Sequence, residues 1–281
     1  MFAALTDRQW LWLAAACYLA GFLRGARSVF RGERPSGGTM HAFVVAGYGL
    51  QYLGLYLRGR AEGDCPLGNI FEILQFIAWS AITLYLVVGV TFRSSLLGYF
   101  TAGLGAALTI ASLALPSLDA TRRAHIFGNN PWIEMHAALA MFSYGVFGLL
   151  ALTSALFLFR HYSLKTKHLD GWFSFLPSIL DLDHIGVRLL GAGVAILGVS
   201  LAVGTVYWMR DIASVNAAKI LITAAVWAAY ATALGFRLGG WLRTKRFAWT
   251  CLVLFAAALL SLGPVNASRH PPLAAAQGER K

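Results

Sequence analysis

The sequence predicts an all-helical, polytopic membrane protein, and three observations support that prediction. Hydrophobic residues make up 58% of the 281 positions and charged residues only 12%, compared with about 25% charged in soluble domains. Eight stretches are apolar over roughly the 20 residues that a helix needs to cross a bilayer core. Because the bilayer offers no water to the backbone, each stretch must satisfy its own hydrogen bonds as a helix.

The connections between the predicted spans are short, and the chain shows no internal repeat or separate soluble domain. A single membrane domain over residues 1–264 is therefore expected, followed by a mobile polar tail over residues 265–281. In chain order the eight predicted spans cover residues 4–22, 41–57, 69–92, 95–116, 132–160, 188–209, 217–236 and 247–264.

The net charge of +11 is concentrated in alternate loops, which argues against nucleic-acid binding and predicts an orientation. With an even number of spans these loops lie on one side, which the positive-inside rule makes cytoplasmic. Both termini are then expected to be extracytoplasmic. After the first span these cations are Arg24, Arg27, Arg31 and Arg34, and Arg93 follows the third. After the fifth span they are Arg160, Lys165 and Lys167, and after the seventh Arg237, Arg243, Lys245 and Arg246.

The start of the chain is expected to be an uncleaved anchor, since the arginines after the first span outweigh the weak positive charge around Asp7 and Arg8. Cys17, Cys65 and Cys251 form no CxxC pair. This spacing predicts neither a disulfide framework nor a zinc site, nor covalent haem attachment to this chain.

One segment between the fifth and sixth spans is apolar but too short to cross the membrane. The stretch "HLDGWFSFLPSILDLDHIG" clusters Trp172, Phe173, Phe175 and Leu176, is interrupted by Pro177 and is flanked by aspartates. It is expected to be a broken segment at the cytoplasmic interface.

Polar side chains that the cytoplasmic loops do not account for gather near the predicted outer face. Ionisable groups inside a membrane are costly and are therefore functional candidates. These residues are Glu72 in the third span, His125, Glu134 and His136 around the start of the fifth, Arg210 and Asp211 after the sixth, and His270 after the eighth.

His136 is the sharpest candidate because it lies one turn inside a long apolar helix. Its helical face carries Trp132 above and Ala140 and Ser143 below. The small residues would let a flat porphyrin approach the imidazole, but they suit close helix packing equally well. From the residues alone, His136 is a candidate metal or haem ligand or a hydrogen-bonded structural histidine.

Glu72 and the outer arginines also leave alternatives open. Glu72 is expected to orient an imidazole, relay protons or pair with an outer arginine. Arginine forks bind carboxylates such as haem propionates, although solvated loop charge is the simpler reading. The outer arginines are Arg122, Arg123, Arg210 and Arg269.

The order of motifs resembles the CcsA-like cytochrome c assembly proteins, a family that includes a HemX-like branch. "CPLGNIFEILQFIAWS" is similar to the PLSNLYESLxFLSW signature, with Pro66, Leu67, Asn69, Glu72 and Trp79 at matching positions. "MHAALAMFSYGVF" resembles the family's helix with an outer haem-ligand histidine. The similarity continues through "LPSILDLDHIGVRLLGAGVAILGVSLAVGTVYW", "GWLRTKRFAW" and "GPVN".

The resemblance implies handling of haem, here haem b, at an extracytoplasmic site of a bacterial inner membrane. It implies presentation of that haem to reduced apocytochrome c, together with a membrane partner of the CcsB/ResB type. His136 matches one axial ligand of the outer haem, and His270 is the candidate for the second. Trp132, Glu72 and Arg210 complete the expected cofactor-binding set.

Two departures from the family pattern bear on function. "MRDIASVNAA" stands where synthase-type members carry a longer tryptophan-rich WWD loop, and Gly235 stands at the position of an intramembrane histidine. Both favour the HemX-like branch, so enzyme status stays open.

Two further function classes compete with haem handling. The first is a non-catalytic scaffold or regulator of haem biosynthesis, in which His136 is structural and the cytoplasmic loops bind a protein. The second is a transporter, for which the expected inverted repeats and broken helices are not evident.

Overall fold

The computed structural model describes residues 5–31, 37–63, 65–89, 95–120, 130–166, 178–209 and 217–267. Within these ranges the chain is all-helical, as predicted, and each of the eight predicted spans coincides with a helix. The helices are α1 (Asp7–Phe30), α2 (Gly37–Glu62), α3 (Ile70–Gly89), α4 (Ser95–Ala114), α5 (Pro131–Lys165), α6 (Ile179–Trp208), α7 (Ala217–Leu238) and α8 (Thr244–Ala267), with a 3₁₀ turn at Pro116–Leu118.

Five of the helices in the described ranges are long and apolar enough to cross a membrane. The qualifying stretches are Ile70–Val87, Pro131–Lys165, Ile179–Val206, Ile220–Leu238 and Thr244–Ser261. A shorter apolar stretch, Gly98–Ala114, occupies most of α4. The chain is therefore a membrane protein, and α1 and α2 pack beside these spans.

The sixth helix begins earlier than predicted, and the expectation of a broken interfacial segment is wrong for residues 178–186. Ser178 precedes α6, and its hydroxyl oxygen accepts a hydrogen bond from the Asp181 backbone N–H at 3.1 Å. It also donates to the Asp181 carboxylate at 2.7 Å. This capping starts the helix nine residues before the predicted span at 188, while residues 167–177 lie outside the described ranges.

The second helix also extends further than predicted, to Glu62, so Arg58 lies on a helix and not in a loop. Its side chain turns into the bundle, where it finds carboxylate partners. The predicted span ends at residue 57 because the carboxylate partners of Arg58 are distant in the sequence, and a lone arginine there indicates a loop.

Consecutive helices run antiparallel, as side-chain contacts at their ends show. Arg58 at the end of α2 contacts Asp7 at the start of α1 and Glu72 at the start of α3. Arg237 at the end of α7 contacts Asp183 at the start of α6. Short connections between antiparallel neighbours are typical of helical bundles.

The four-helix half formed by α1–α4 has a buried polar core. Gln51 accepts a hydrogen bond from Tyr18 at 3.0 Å and donates to the side-chain oxygen of Gln75 at 2.9 Å. Gln75 in turn donates to Ser112 at 2.8 Å, and Gln51 donates to Thr109 at 3.3 Å. We call these five residues, all fully buried, the amide network.

The other half, α5–α8, is held mainly by apolar packing. The rings of Phe147 on α5 and Tyr230 on α7 stack with their centroids 3.7 Å apart. On α6, Gly193 leaves the space that the Phe147 ring fills. Helices in a membrane associate through such close packing, since lipid is as apolar as their side chains.

The packing of α5 against α3, which joins the two halves, depends on Gly145. A Cβ atom there would lie 2.8 Å from the Ile77 carbonyl oxygen of α3 and would overlap the Ser80 hydroxyl. The Gly145→Ala variant is therefore expected to lose about 1–3 kcal/mol of stability through overpacking, measured as a lower midpoint of unfolding in SDS.

Gly191→Ala is the matched control for this prediction. Gly191 also lies inside a helix, but no atom lies within 4 Å of the position that its Cβ would take. An equal loss of stability in the two variants would contradict the packing of α3 against α5 described here.

Candidate functional site

A buried ion cluster closes one end of the α1–α4 half. Arg58, whose side chain is 10% exposed, donates to the fully buried Glu72 at 2.6 Å and to Asp7 at 3.0 Å. It also pairs with Asp119, which follows the 3₁₀ turn. Arg8 donates to the other carboxylate oxygen of Asp119 at 2.8 Å. We call these five residues the Arg58 cluster.

The local sequence positions the carboxylates of this cluster. Asn69 caps α3, because its side-chain oxygen accepts from the Glu72 backbone N–H at 2.8 Å. Its amide nitrogen donates to Asp119 at 2.8 Å, and the Gly68 N–H donates to Glu72. The Arg58 guanidinium lies over the Phe71 ring, 4.9 Å from its centroid. Each charge therefore has partners that offset the cost of burial.

Glu72 pairs with an arginine, but that arginine is Arg58 and not one of the four outer arginines named from the sequence. Arg58 lies one residue beyond the predicted second span, and its carboxylate partners Asp7 and Asp119 are far from it in the sequence, so the sequence alone does not indicate this pairing. The three carboxylates and two guanidinium groups of the cluster give it a net charge of −1 when all are ionised.

His136 belongs to a separate set of contacts, between the start of α5 and the end of α6. Its Nδ1 atom lies 2.7 Å from the Ser200 carbonyl oxygen and 3.1 Å from the Ser200 hydroxyl. The same hydroxyl donates to the His136 carbonyl oxygen at 2.8 Å. A carbonyl oxygen only accepts, so Nδ1 carries the proton in the neutral ring and Nε2 carries the lone pair.

No residue of the described ranges forms a hydrogen bond with Nε2 of His136. Metal-ligating histidines usually bind through one ring nitrogen while the other donates to a carbonyl or carboxylate. The half-buried imidazole of His136 makes the same kind of hydrogen bond from Nδ1 to a carbonyl.

The start of α5 brings Trp132 to the same helical face. Asn130 caps the helix by accepting from the Trp132 backbone N–H at 3.0 Å, and Pro131 takes the first helical position. Pro and Asn at these positions favour a helix start. Trp132 lies one turn from His136 with 60% of its surface exposed, and Glu134 in the first turn is half-buried.

The sequence-predicted residues within the described ranges fall into two groups. Glu72 lies in the Arg58 cluster, whereas His136 and Trp132 lie together on α5. The residues that fall outside the described ranges are His125, Arg210, Asp211 and His270. Sequence reasoning missed Ser200 and Gly204, whose only signal is a small-residue pattern common in membrane helices.

Comparison with known proteins places most of the chain in one family. A family model described as cytochrome C assembly protein matches residues 67–265. Glu72, Asp119 and His136 lie within this match, whereas Asp7, Arg8 and Arg58 precede it.

Individual relatives carry two names. The chain is 26% identical over 204 residues to Protein HemX of Brevibacillus brevis, covering 72% of this chain and 75% of that protein. It is 28% identical over 149 residues to Protein HemX of Bacillus subtilis (strain 168), covering 52% of each. It is 29% identical over 173 residues to cytochrome c biogenesis protein CcsA of Chlamydomonas reinhardtii, covering 56% of this chain and 47% of that protein. The chain thus spans three quarters of the first relative and about half of the other two.

Removing the cation of the Arg58 cluster is expected to destabilise the bundle strongly. Arg58→Met leaves the fully buried Glu72 without its guanidinium partner, and breaking a buried ion pair costs about 3–5 kcal/mol. The measurement is the unfolding midpoint in SDS, or the temperature of aggregation in detergent.

Arg60→Met is the control, because Arg60 is exposed on the same helix and contacts only the Tyr56 ring, 6.0 Å away, among the described residues. The double variant Arg58→Met, Glu72→Gln is expected to recover part of the loss, since it removes the unpaired charge. Stability in Arg58→Met equal to that of Arg60→Met would refute the role of the cluster.

Proposed function

Since the chain belongs to the cytochrome c assembly protein family, we propose that it binds haem b at an extracytoplasmic site and guides it towards attachment to apocytochrome c. His136 is the proposed axial ligand. The observation that carries this proposal is the hydrogen bond from its Nδ1 to the Ser200 carbonyl. Nε2 forms no hydrogen bond with the described residues and is the nitrogen that would meet iron.

The residues around His136 fit a porphyrin chemically. A neutral imidazole is a common haem ligand, and the exposed Trp132 one turn away offers an aromatic face. His270 is the proposed second ligand, and Arg210 the proposed partner of a haem propionate; both assignments come from the sequence. The bound haem supplies the reactive groups for attachment, while this chain binds and orients it.

We further propose that all eight helices cross a bacterial inner membrane, with the Arg58 cluster and His136 at the outer face. The opposite end carries Arg24, Arg27, Lys165, Arg243 and Lys245, and positive loops stay in the cytoplasm. The antiparallel order then places both termini outside. In this orientation haem would be presented to apocytochrome c, with a CcsB/ResB-like membrane protein as partner.

The second candidate is a HemX-like scaffold or regulator without a catalytic step. The match to the Brevibacillus HemX protein covers 75% of that protein's length, which favours this second candidate. Gly235 also favours it, because the resemblance leads one to expect an intramembrane histidine at that position. A synthase step is therefore not part of the leading proposal, which requires only that haem be bound.

Detergent-purified protein from haem-supplied cells is expected to show a Soret band that falls severalfold in His136→Ala. The reason is loss of the axial nitrogen, and the measurement is the absorption spectrum normalised to protein. His184→Ala is the control, since His184 is exposed near the opposite end of α6. Colourless wild-type protein would instead favour the scaffold.

The proposed orientation predicts that a membrane-impermeant maleimide added to intact spheroplasts labels Cys65. Cys65 lies between α2 and α3 at the end that carries the Arg58 cluster, whereas Cys251 is fully buried. In a Cys65→Ser background, Trp241→Cys is expected to react only after permeabilisation, because Trp241 is 78% exposed at the opposite end. The reverse pattern of labelling would overturn the orientation.

A further inference from the structure

We propose that Gly204 and the Ser200 carbonyl form a backbone cradle that holds His136 in the Nδ1–H tautomer and aims Nε2 away from α6. This inference rests on the proposed function, because it explains how the chain prepares its haem ligand. Gly204 is in this sense a positioning residue, which acts on haem only through His136.

The cradle depends on the geometry of one helical turn. In an α-helix the Ser200 carbonyl accepts from the backbone N–H four residues later, which belongs to residue 204. A carbonyl oxygen has two lone pairs, so it also accepts from Nδ1 of His136 at 2.7 Å. The bond holds the ring at a backbone group, which cannot rotate away as a side chain can.

Only glycine at position 204 leaves room for the ring. Every Cα–Cβ bond in a helix tilts towards the helix N-terminus, so a side chain at 204 would cover the turn where the Ser200 carbonyl is reached. A Cβ atom there would lie 2.7 Å from Nδ1 and 2.8 Å from Cε1 of His136. The space is bordered on the α6 side by backbone atoms, so it is the ring of His136 that would have to move.

The Ser200 side chain adds a second attachment at the same residue. Its hydroxyl donates to the His136 carbonyl oxygen at 2.8 Å, which ties the α5 backbone to α6 beside the imidazole. Ring and backbone of His136 are therefore both held by one residue of α6. Rotation of the imidazole is restricted without any hydrogen bond to Nε2 from the described residues.

The group that accepts the hydrogen bond from Nδ1 also affects the basicity of the imidazole. Hydrogen bonds to the outer nitrogen raise the basicity of a ligating histidine. A neutral carbonyl draws the Nδ1 proton less strongly than a carboxylate does, so it would give a ligating imidazole less imidazolate character. Such a ligand would suit a site that must release haem.

The first test reads the tautomer of His136 in haem-free wild-type protein, so it does not depend on haem binding. Protein labelled with ¹⁵N-histidine is studied by long-range ¹H–¹⁵N correlation, and the His136→Gln variant is used only to identify the His136 signals. A protonated Nδ1 with an unprotonated Nε2 is expected. An Nε2–H ring would overturn the cradle whether or not the protein binds haem.

The second test measures haem affinity by titration with hemin. Gly204→Ala is expected to weaken binding about 10- to 100-fold, the usual effect of losing a group that orients a ligand. Gly191→Ala, with open space at its Cβ, is expected to bind as wild type does. Unchanged affinity and an unchanged tautomer in Gly204→Ala would refute the inference.

A double-mutant cycle separates positioning from helix packing. In a His136→Ala background there is no ring to displace, so Gly204→Ala is expected to leave stability and residual haem binding unchanged. An equal loss of stability in both backgrounds would reduce Gly204 to a packing residue. An Nδ1–H ring in wild-type protein that binds no haem would support the cradle while refuting the proposed function.

Discussion

The guanidinium group of Arg58 lies against carboxylates from three other segments of the chain, and the arrangement of the first four helices depends on this contact. A buried charge without a partner costs several kcal/mol, so the start of α1, the end of α2, the start of α3 and the turn after α4 must lie close together at one end of the bundle. Asp7, Arg8 and Arg58 precede the region matched by the family model. The first two helices therefore complete the charge balance of the matched region, and are part of the same bundle.

The amide network carries the same constraint deeper into the α1–α4 half. Gln51 and Gln75 have side chains with several donors and acceptors, and the network supplies partners for them in the absence of water. Such directional bonds allow few alternative registers. In the α5–α8 half the polar links between helices include the contact of His136 with Ser200 and that of Arg237 with Asp183. Ring stacking and close packing at glycines add shape complementarity to these links.

Glu72 and His136 resemble each other in the sequence, since both are ionisable groups just inside a predicted span, yet their surroundings differ. Glu72 is fully buried with its carboxylate bound to Arg58 and to a backbone N–H. His136 is half-buried and has one ring nitrogen bound to a backbone carbonyl. A group with all its atoms satisfied stabilises the fold, whereas a group with one oriented lone pair left over can bind a ligand.

The sequence by itself determined the all-helical class and the approximate positions of the eight helices, although α2 and α6 extend beyond their predicted spans. Apolar length is a property of neighbouring residues, so the sequence displays it directly. It also singled out His136, because a polar side chain stands out in an apolar helix. Only the tertiary structure decided what these side chains contact: Arg58 meets Asp119 across 61 positions and His136 meets Ser200 across 64. Such pairings depend on how whole helices pack. The need for glycine at position 204 likewise becomes visible only once the His136 ring is seen to pack against it.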